Sequence, residues 1–372
     1  MRAPRDVLFY VPSAAPLLVA ADLPAGGAET QMVTVARELA KRDLRVAFVL
    51  DAREPPPVVD GIDLIAERRV RTRVAGLRSL EAVVRVIGAV VRGNAPVVVQ
   101  RGGSAVTGLV GLAARLTRRR FVFSTASVAD FDLELMESST KRVRLFRAGV
   151  RLAHDIVVQT AEQVELAHRR FNRDAVLIHN VVEPAALRDG APDAFLWIGR
   201  LVGYKGPHAY LDLAAAVPEA SFRMLGVPSG PDGARLAAEV AERARSLPNV
   251  ELLEPRPRAE LGPVYDEAVA VVNTARFEGM PNTFLEGWAR GVPALALHHD
   301  PDATIERERL GAFAGGDPAR LADLARRLWA ERGEQADAAA RCVEYVRLRH
   351  TIGAAADAWA RLVRDGRAGR SC

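Results

Sequence analysis

The pattern that most restricts this chain is an alternation of short, strongly apolar runs with longer amphipathic segments. It passes once through the first half and restarts in the second. Asp6 to Val11, Arg45 to Leu50, Pro96 to Gln100, Phe121 to Ser124 and Asp155 to Gln159 lack the alternation of a half-wet strand, so they read as strands buried on both faces. Between them Thr30 to Lys41, Leu77 to Arg92, a segment ending near Leu116, and Ala161 to Phe171 read as helices. The second series of strands is Phe195 to Ile198, Phe222 to Leu225, Val250 to Leu253, Ala268 to Asn273 and Pro293 to Leu297. Helices follow over Ala319 to Ala330, Ala338 to Arg349 and about Ile352 to Val363, the last with Ala355, Ala358, Trp359, Leu362 and Val363 on one stripe. Such alternation builds parallel sheets covered by helices, so the fold class is α/β. A length of 372 residues suits two domains. The expected division is 1–183 and 184–350, with Pro184 to Pro192 as linker and 351–372 as a final helix and tail.

Composition removes several function classes. Only two cysteines, Cys342 and Cys372, are present, which argues against a disulfide framework or a cysteine metal site and fits a reducing cytoplasm. The longest uncharged run, Val7 to Ala21, is short for a membrane span and holds two prolines. Arg2 and Arg5 give it some look of a secretory signal, but it reads better as a first strand and loop. Charge is uneven, with a net of +8 over residues 1–182 and −3 over the rest. Basic groups gather at Arg68, Arg69, Arg71 and Arg73, at Arg118 to Arg120, and from Lys141 to Arg151. In the last cluster Val143, Leu145, Phe146, Val150 and Leu152 are interleaved with the charges. This segment suits an anionic membrane surface or a phosphate-bearing acceptor, or equally a solvated arginine-rich face. No recognised nucleic-acid motif accompanies it.

Chemistry concentrates at strand ends. After the apolar run 268–273 comes Phe277-Glu278-Gly279-Met280-Pro281-Asn282-Thr283-Phe284-Leu285-Glu286, with a helix expected from Phe284 to Ala289. Open α/β sheets bind ligands at such places, because helix N-terminal amides point outward there. Glu278 in the loop and Glu286 in the helix flank one mouth; Thr283 and Glu286 are also spaced as a capping box. Arg200 and Lys205, just beyond the expected strand 195–198, suit a diphosphate: arginine forks onto one phosphoryl group and lysine supplies a mobile charge. Gly26 and Gly27 precede the first long helix, where a backbone can approach an anion closely. Gln100-Arg101-Gly102-Gly103-Ser104 is a second polar loop of this kind, in which Arg101 would meet an anionic acceptor group or form a surface salt bridge. His298-His299-Asp300 invites a metal reading, but adjacent histidines with no third ligand read as a polar loop.

Taken in order, the Gly26-Gly27 loop, Gly199-Arg200-Leu201 with Lys205-Gly206, and Glu278-x7-Glu286 resemble the motifs of retaining family 4 (group 1) glycosyltransferases with the GT-B fold. The resemblance implies two Rossmann-like domains facing each other across a cleft, with the C-terminal helix crossing back to the first. It implies Glu278 beside the donor sugar's hydroxyls, Glu286 on the nucleotide ribose, and the backbone of Gly279, Met280, Pro281, Asn282 and Thr283 facing sugar and diphosphate. Gly26 and Gly27 would lie over the diphosphate. Arg200 and Lys205 would hold it and, with Glu278, form the catalytic set. Val176 to Glu183 resembles the family's Asn-Gly-Val-Asp segment, with Val181 in place of glycine, and Glu254-Pro255 stands where a glycine is common. Many relatives carry a histidine near Ser127, so Ser127 joins Arg101 on the acceptor side.

The implied reaction is metal-independent, since no Asp-x-Asp motif is apparent and protein cations would neutralise the departing diphosphate. No cofactor is expected beyond a UDP- or GDP-type sugar donor. The acceptor is unspecified, in exopolysaccharide, glycolipid or glycoconjugate synthesis, with a cytoplasmic location and peripheral membrane attachment. The alternatives are an epimerase or hydrolase of the same donor, or a silent nucleotide-sugar-binding relative.

Overall fold

The computed structural model describes residues 4–19, 26–67, 78–135, 137, 139–188 and 191–368. The basic run 68–73 and residues 24–25 before the first glycine pair lie outside the described residues. The chain divides into two compact units, Met1–Val181 with Ile352–Cys372, and Val182–Thr351.

The first unit opens with β1 (Val7–Tyr10), α1 (Ala15–Val19), α2 (Gly27–Ala40) and β2 (Val46–Leu50). A short hairpin of β3 (Val58–Val59) and β4 (Ile62–Ala66) follows, then α3 (Arg78–Gly93), β5 (Val97–Arg101) and α4 (Ala105–Leu116). It continues through β6 (Arg120–Ser124), α5 (Thr140–Leu152), β7 (Asp155–Val158), α6 (Ala161–Phe171) and β8 (Val176–Leu177). The strands lie in the order β3-β4-β2-β1-β5-β6-β7-β8, parallel apart from the β3–β4 pair. Each face of this sheet is covered. Val7, Phe9, Val46, Phe48, Val97 and Val99 pack under α2, while Leu8, Ala47, Val49 and Val98 pack under α3 and α4. Burial on both faces is why these runs are apolar throughout.

Helix α5 packs on α4 at glycine contacts. A methyl group on Gly108 would fall 2.2 Å from the Leu145 carbonyl, and one on Gly149 would fall 2.5 Å from that of Thr107. This close approach buries Val143, Phe146 and Val150 in the core and leaves Lys141, Arg142, Arg144, Arg147 and Arg151 exposed. Three of the five apolar residues interleaved with charge thus face inward, Leu145 and Leu152 are half-buried, and the exposed face of this segment is basic.

The second unit begins with β9 (Ala194–Leu201), α7 (Pro207–Ala216), β10 (Phe222–Pro228), α8 (Gly233–Arg245) and β11 (Val250–Leu252). It goes on through α9 (Gly262–Asp266), β12 (Ala268–Asn273), α10 (Asn282–Ala289), β13 (Ala294–Ala296) and α11 (Thr304–Arg307). It ends with β14 (Gly311–Phe313), α12 (Pro318–Ala330) and α13 (Ala336–Arg349). The sheet order is β11-β10-β9-β12-β13-β14, with parallel pairing. Strand β9 runs three residues beyond the expected Ile198, paired with β10 as far as Leu201↔Pro228. Arg200 therefore stands on the strand itself and not beyond it.

The last helix, α14 (Ile352–Ala368), belongs to the first unit. It packs Ala355, Trp359, Ala360, Leu362 and Val363 into the core under α2, with the Trp359 ring 6.2 Å from that of Phe9. Arg42 pairs with Asp357 at the rim of this contact. Among the described residues no helix is long and apolar enough to cross a membrane.

Candidate functional site

In the second sheet β9 lies beside β12, while the chain leaves β9 toward β10 on one side and leaves β12 toward β13 on the other. Loops that diverge in this way open a crevice at the carboxyl ends of the two strands. The loop after β9 carries Lys205, at the end of a 3-10 turn over Gly203–Lys205. The loop after β12 carries Glu278. Their side chains meet: Lys205 Nζ donates to Glu278 Oε1. Asn273, the last residue of β12, donates from Nδ2 to the same oxygen at 3.2 Å.

The backbone around this contact is fastened. Thr274 Oγ1 lies 2.9 Å from the Lys205 carbonyl and 2.8 Å from that of Gly206, and it accepts from the Trp197 indole at 3.1 Å. Gly206 has φ +66, and a Cβ there would fall 2.5 Å from the Thr274 carbonyl oxygen, so the tight turn requires glycine. Arg200 is exposed and donates from Nη2 to the Tyr204 hydroxyl at 2.7 Å. The two cations therefore hold different partners: Lys205 a carboxylate, Arg200 a phenol.

Helix α10 starts at Asn282, two residues earlier than expected, with Pro281 at its cap and no side chain capping it. Thr283 and Glu286 consequently sit inside the helix, and the capping-box alternative does not hold. The Glu286 carboxylate instead accepts from Arg258 on one oxygen and from the Tyr265 hydroxyl, at 2.7 Å, on the other. Burial, reinforced by the neighbouring Glu286, pushes the Tyr265 phenol well above its ordinary pKa. Between the glutamates, the Gly279 carbonyl lies 3.0 Å from His299 Nε2, and Met280 is buried in the core. The Pro281 carbonyl accepts from Phe284 and Leu285. Asn282 and Thr283, half-buried, form the first turn of α10. Among the described residues no group of three His, Cys, Asp or Glu gathers as for a metal ion. His299 bonds the Gly279 carbonyl and Asp300 accepts from the Ile305 and Glu306 amides.

In the first unit the corresponding divergence lies between β1 and β5. Gly26 caps α2 with extended backbone, and its carbonyl accepts from the amide and hydroxyl of Thr30. Gly27 is the first residue of that helix. Glu29 folds back over Gly26, so that a Cβ there would fall 2.3 Å from a carboxylate oxygen, and it accepts from Ser13 at 2.8 Å.

Among the described residues Arg101, at the end of β5, forms no surface salt bridge. It donates from Nη2 to Asn180 Oδ1 at 2.9 Å and from Nη1 to Ser124 at 3.4 Å, while its Nε is buried without a partner. Burial pulls its pKa down to about 10 against the opposing pull of Asp130 and Glu29. Asp130 fills the polar loop after β5, accepting from the amides of Gly103 (2.8 Å), Ala126 (2.5 Å) and Ser127 (3.2 Å). Ser127 caps the 3-10 turn Val128–Phe131 through its hydroxyl, which accepts from Ala129. The motif reading missed Asn273, Thr274, Arg258, Tyr265, His299 and Asp130. The break from apolar to polar at Asn273-Thr274 and the capping-box spacing of Ser127 and Asp130 left a signal in the sequence; Arg258, Tyr265 and His299 act at long range.

A cation and a carboxylate in contact at a strand-end crevice can grip opposite poles of an anionic, polyhydroxylated ligand. Residues 192–331, which contain Arg200, Lys205, Glu278 and Glu286, match the family described as Glycosyl transferases group 1. Over 138 residues the chain is 32% identical to the D-inositol 3-phosphate glycosyltransferase of Corynebacterium urealyticum, and over 140 residues 33% identical to that of Corynebacterium efficiens. Each alignment covers 34% of this chain and 32% of the relative, so the match spans about a third of those proteins.

Likeness of fold extends over the whole chain. Sucrose-phosphate synthase from Thermosynechococcus elongatus superposes with a TM-score of 0.79 at 18% identity, covering 99% of this chain and 100% of that one. Anabaena HepE, solved in complex with UDP and glucose, gives 0.74 at 15% identity, covering 96% and 99%. The match to the group 1 glycosyltransferase model thus lies within the second unit, and the chain as a whole is α/β with the GT-B fold.

Proposed function

We propose that this protein is a retaining, metal-independent glycosyltransferase of family 4. It moves a hexosyl or related group from a UDP- or GDP-type sugar to a hydroxyl of a sugar, lipid-linked or small-molecule acceptor. The observation that carries this reading is the Lys205–Glu278 contact at the β9/β12 crevice, inside the matched span. HepE, similar in fold, binds UDP and glucose, which supports a nucleotide-sugar donor.

Cleavage of the anomeric bond leaves negative charge on the diphosphate and positive character on the sugar. Lys205, Arg200 and the first-turn backbone of α10 stabilise the former electrostatically. Glu278 orients the sugar's hydroxyls and stabilises its oxocarbenium character. Glu286, steadied by Arg258 and Tyr265, holds the ribose. Gly26 and Gly27 offer backbone donors at the α2 N-terminus for an anionic group, with Arg101 and Ser127 on the acceptor side. The outward basic face of α5 attaches the protein peripherally to an anionic membrane chiefly by charge, since Val143, Phe146 and Val150 are committed to the core.

Turnover of a nucleotide-sugar panel with acceptor extracts, read by mass spectrometry, tests the assignment. Glu278→Gln and Arg200→Ala are each expected to lower kcat by about 100-fold or more. Wild-type rates in either folded variant would overturn the roles of these two side chains.

A further inference from the structure

Two consecutive polar residues close the otherwise apolar β12, Asn273 as its last residue and Thr274 just beyond it, and both are buried: Asn273 is 8% exposed and Thr274 1%. Each makes one contact that fixes its own orientation and another that reaches the candidate site. Asn273 Oδ1 accepts from the Ala275 amide at 2.9 Å, which settles the amide's orientation and aims Nδ2 at Glu278. Thr274 accepts from the Trp197 indole, which directs its own hydroxyl proton toward the carbonyls of Lys205 and Gly206.

We propose that Asn273 and Thr274 are positioning residues that act as a pair, Asn273 aiming the Glu278 carboxylate and Thr274 setting the loop that carries Lys205. The proposal rests on the transferase reading above. It assigns the two residues separable effects at the junction of sugar and diphosphate. Loss of the Asn273 amide frees Glu278 to rotate about the Lys205 contact and misplaces the group that meets the sugar. Loss of the Thr274 hydroxyl slackens the Lys205 turn and weakens the grip on phosphate. Displacement of a reacting group by even 1 Å costs on the order of 100-fold in rate.

The test uses the full chain, the donor that turns over, and its free nucleoside diphosphate. Asn273→Ala is expected to lower kcat about 10- to 100-fold while nucleoside diphosphate affinity stays within about two-fold. Asn273→Asp keeps the shape and the acceptor for Ala275 but sets a second carboxylate against Glu278, so it turns over more slowly than Asn273→Ala. A purely packing role predicts the opposite ranking. Thr274→Val, which keeps volume, is expected to weaken nucleoside diphosphate binding about 10-fold, and Thr274→Ser to restore it. Circular dichroism and Tm confirm folding of each variant. Wild-type kcat in Asn273→Ala, or Asn273→Asp turning over faster than Asn273→Ala, overturns the assignment to Asn273. Unchanged nucleoside diphosphate affinity in Thr274→Val overturns that to Thr274. If the unsubstituted protein binds and turns over no nucleotide sugar, the transferase reading itself fails and this proposal falls with it. If the unsubstituted protein works and the variants match it, only the positioning fails.

Discussion

At the residue scale, each of the two glutamates is held by one cation and one neutral donor: Glu278 by Lys205 and Asn273, Glu286 by Arg258 and Tyr265. The cation supplies a charge-assisted hydrogen bond, and the neutral donor sets the carboxylate's direction. Because the Tyr265 phenol is pushed well above its ordinary pKa, it remains a donor across the working pH range. Tyr265→Phe keeps the buried ring and removes only the hydroxyl. Calorimetry should show the donor's nucleoside diphosphate binding weakened by about 1 kcal/mol, with kcat nearly unchanged. Equal affinity in the variant would mean that Arg258 alone orients Glu286. The glutamate pair was legible from spacing. Its pairing with Lys205, Arg258 and Tyr265 was not, because these lie 73, 28 and 21 residues away and no local pattern marks a donor that folding brings from such a distance; Asn273 alone is close, five residues before Glu278.

At the element scale, the strand ends decide the chemistry, and they were the least legible part. Gly199 looked like the end of β9, yet the strand continues because Gly199 stands opposite Gly226 in β10, with Leu201 packed closely on Gly226. Glycine marks a close approach here as well as a turn. Helix α10 likewise begins earlier than expected, at Asn282, which puts Glu286 on a face where it meets α9 through Tyr265. The Lys205 turn depends on Gly206 in the same way. Gly206→Ala adds a methyl group against the Thr274 carbonyl at positive φ, so the turn must shift. The expected outcome is a loss of about 1–3 kcal/mol in stability by chemical denaturation, with nucleoside diphosphate affinity falling alongside. A variant that keeps both would show that the turn is more pliable than its contacts imply.

At the scale of the whole molecule, charge is divided between the units, and the basic excess lies in the first. On α5 the exposed cations are partly compensated, Arg142 by Glu137 and Arg147 by Glu134, both at 3.0 Å. Lys141, Arg144 and Arg151 also stand on the exposed face. The attachment proposed for this face would be electrostatic and therefore screened by salt. In liposome flotation the protein should rise with anionic vesicles at low salt and stay down at about 0.5 M, where the Debye length is only a few ångströms. Absence of flotation at low salt removes the membrane role from α5.

By itself the sequence determined the α/β class, its two parallel repeats and the order in which glycines, cations and glutamates occur. These follow from neighbours along the chain: apolar periodicity records two-sided burial, and glycine loops record strand ends. The tertiary structure alone decided that Lys205 rather than Arg200 meets Glu278 and that Arg101 turns inward toward Asn180. Those outcomes depend on which strand lies beside which. The crossovers set that order, and the pairing of β9 with β12 brings together loops whose facing residues are 73 apart in the chain.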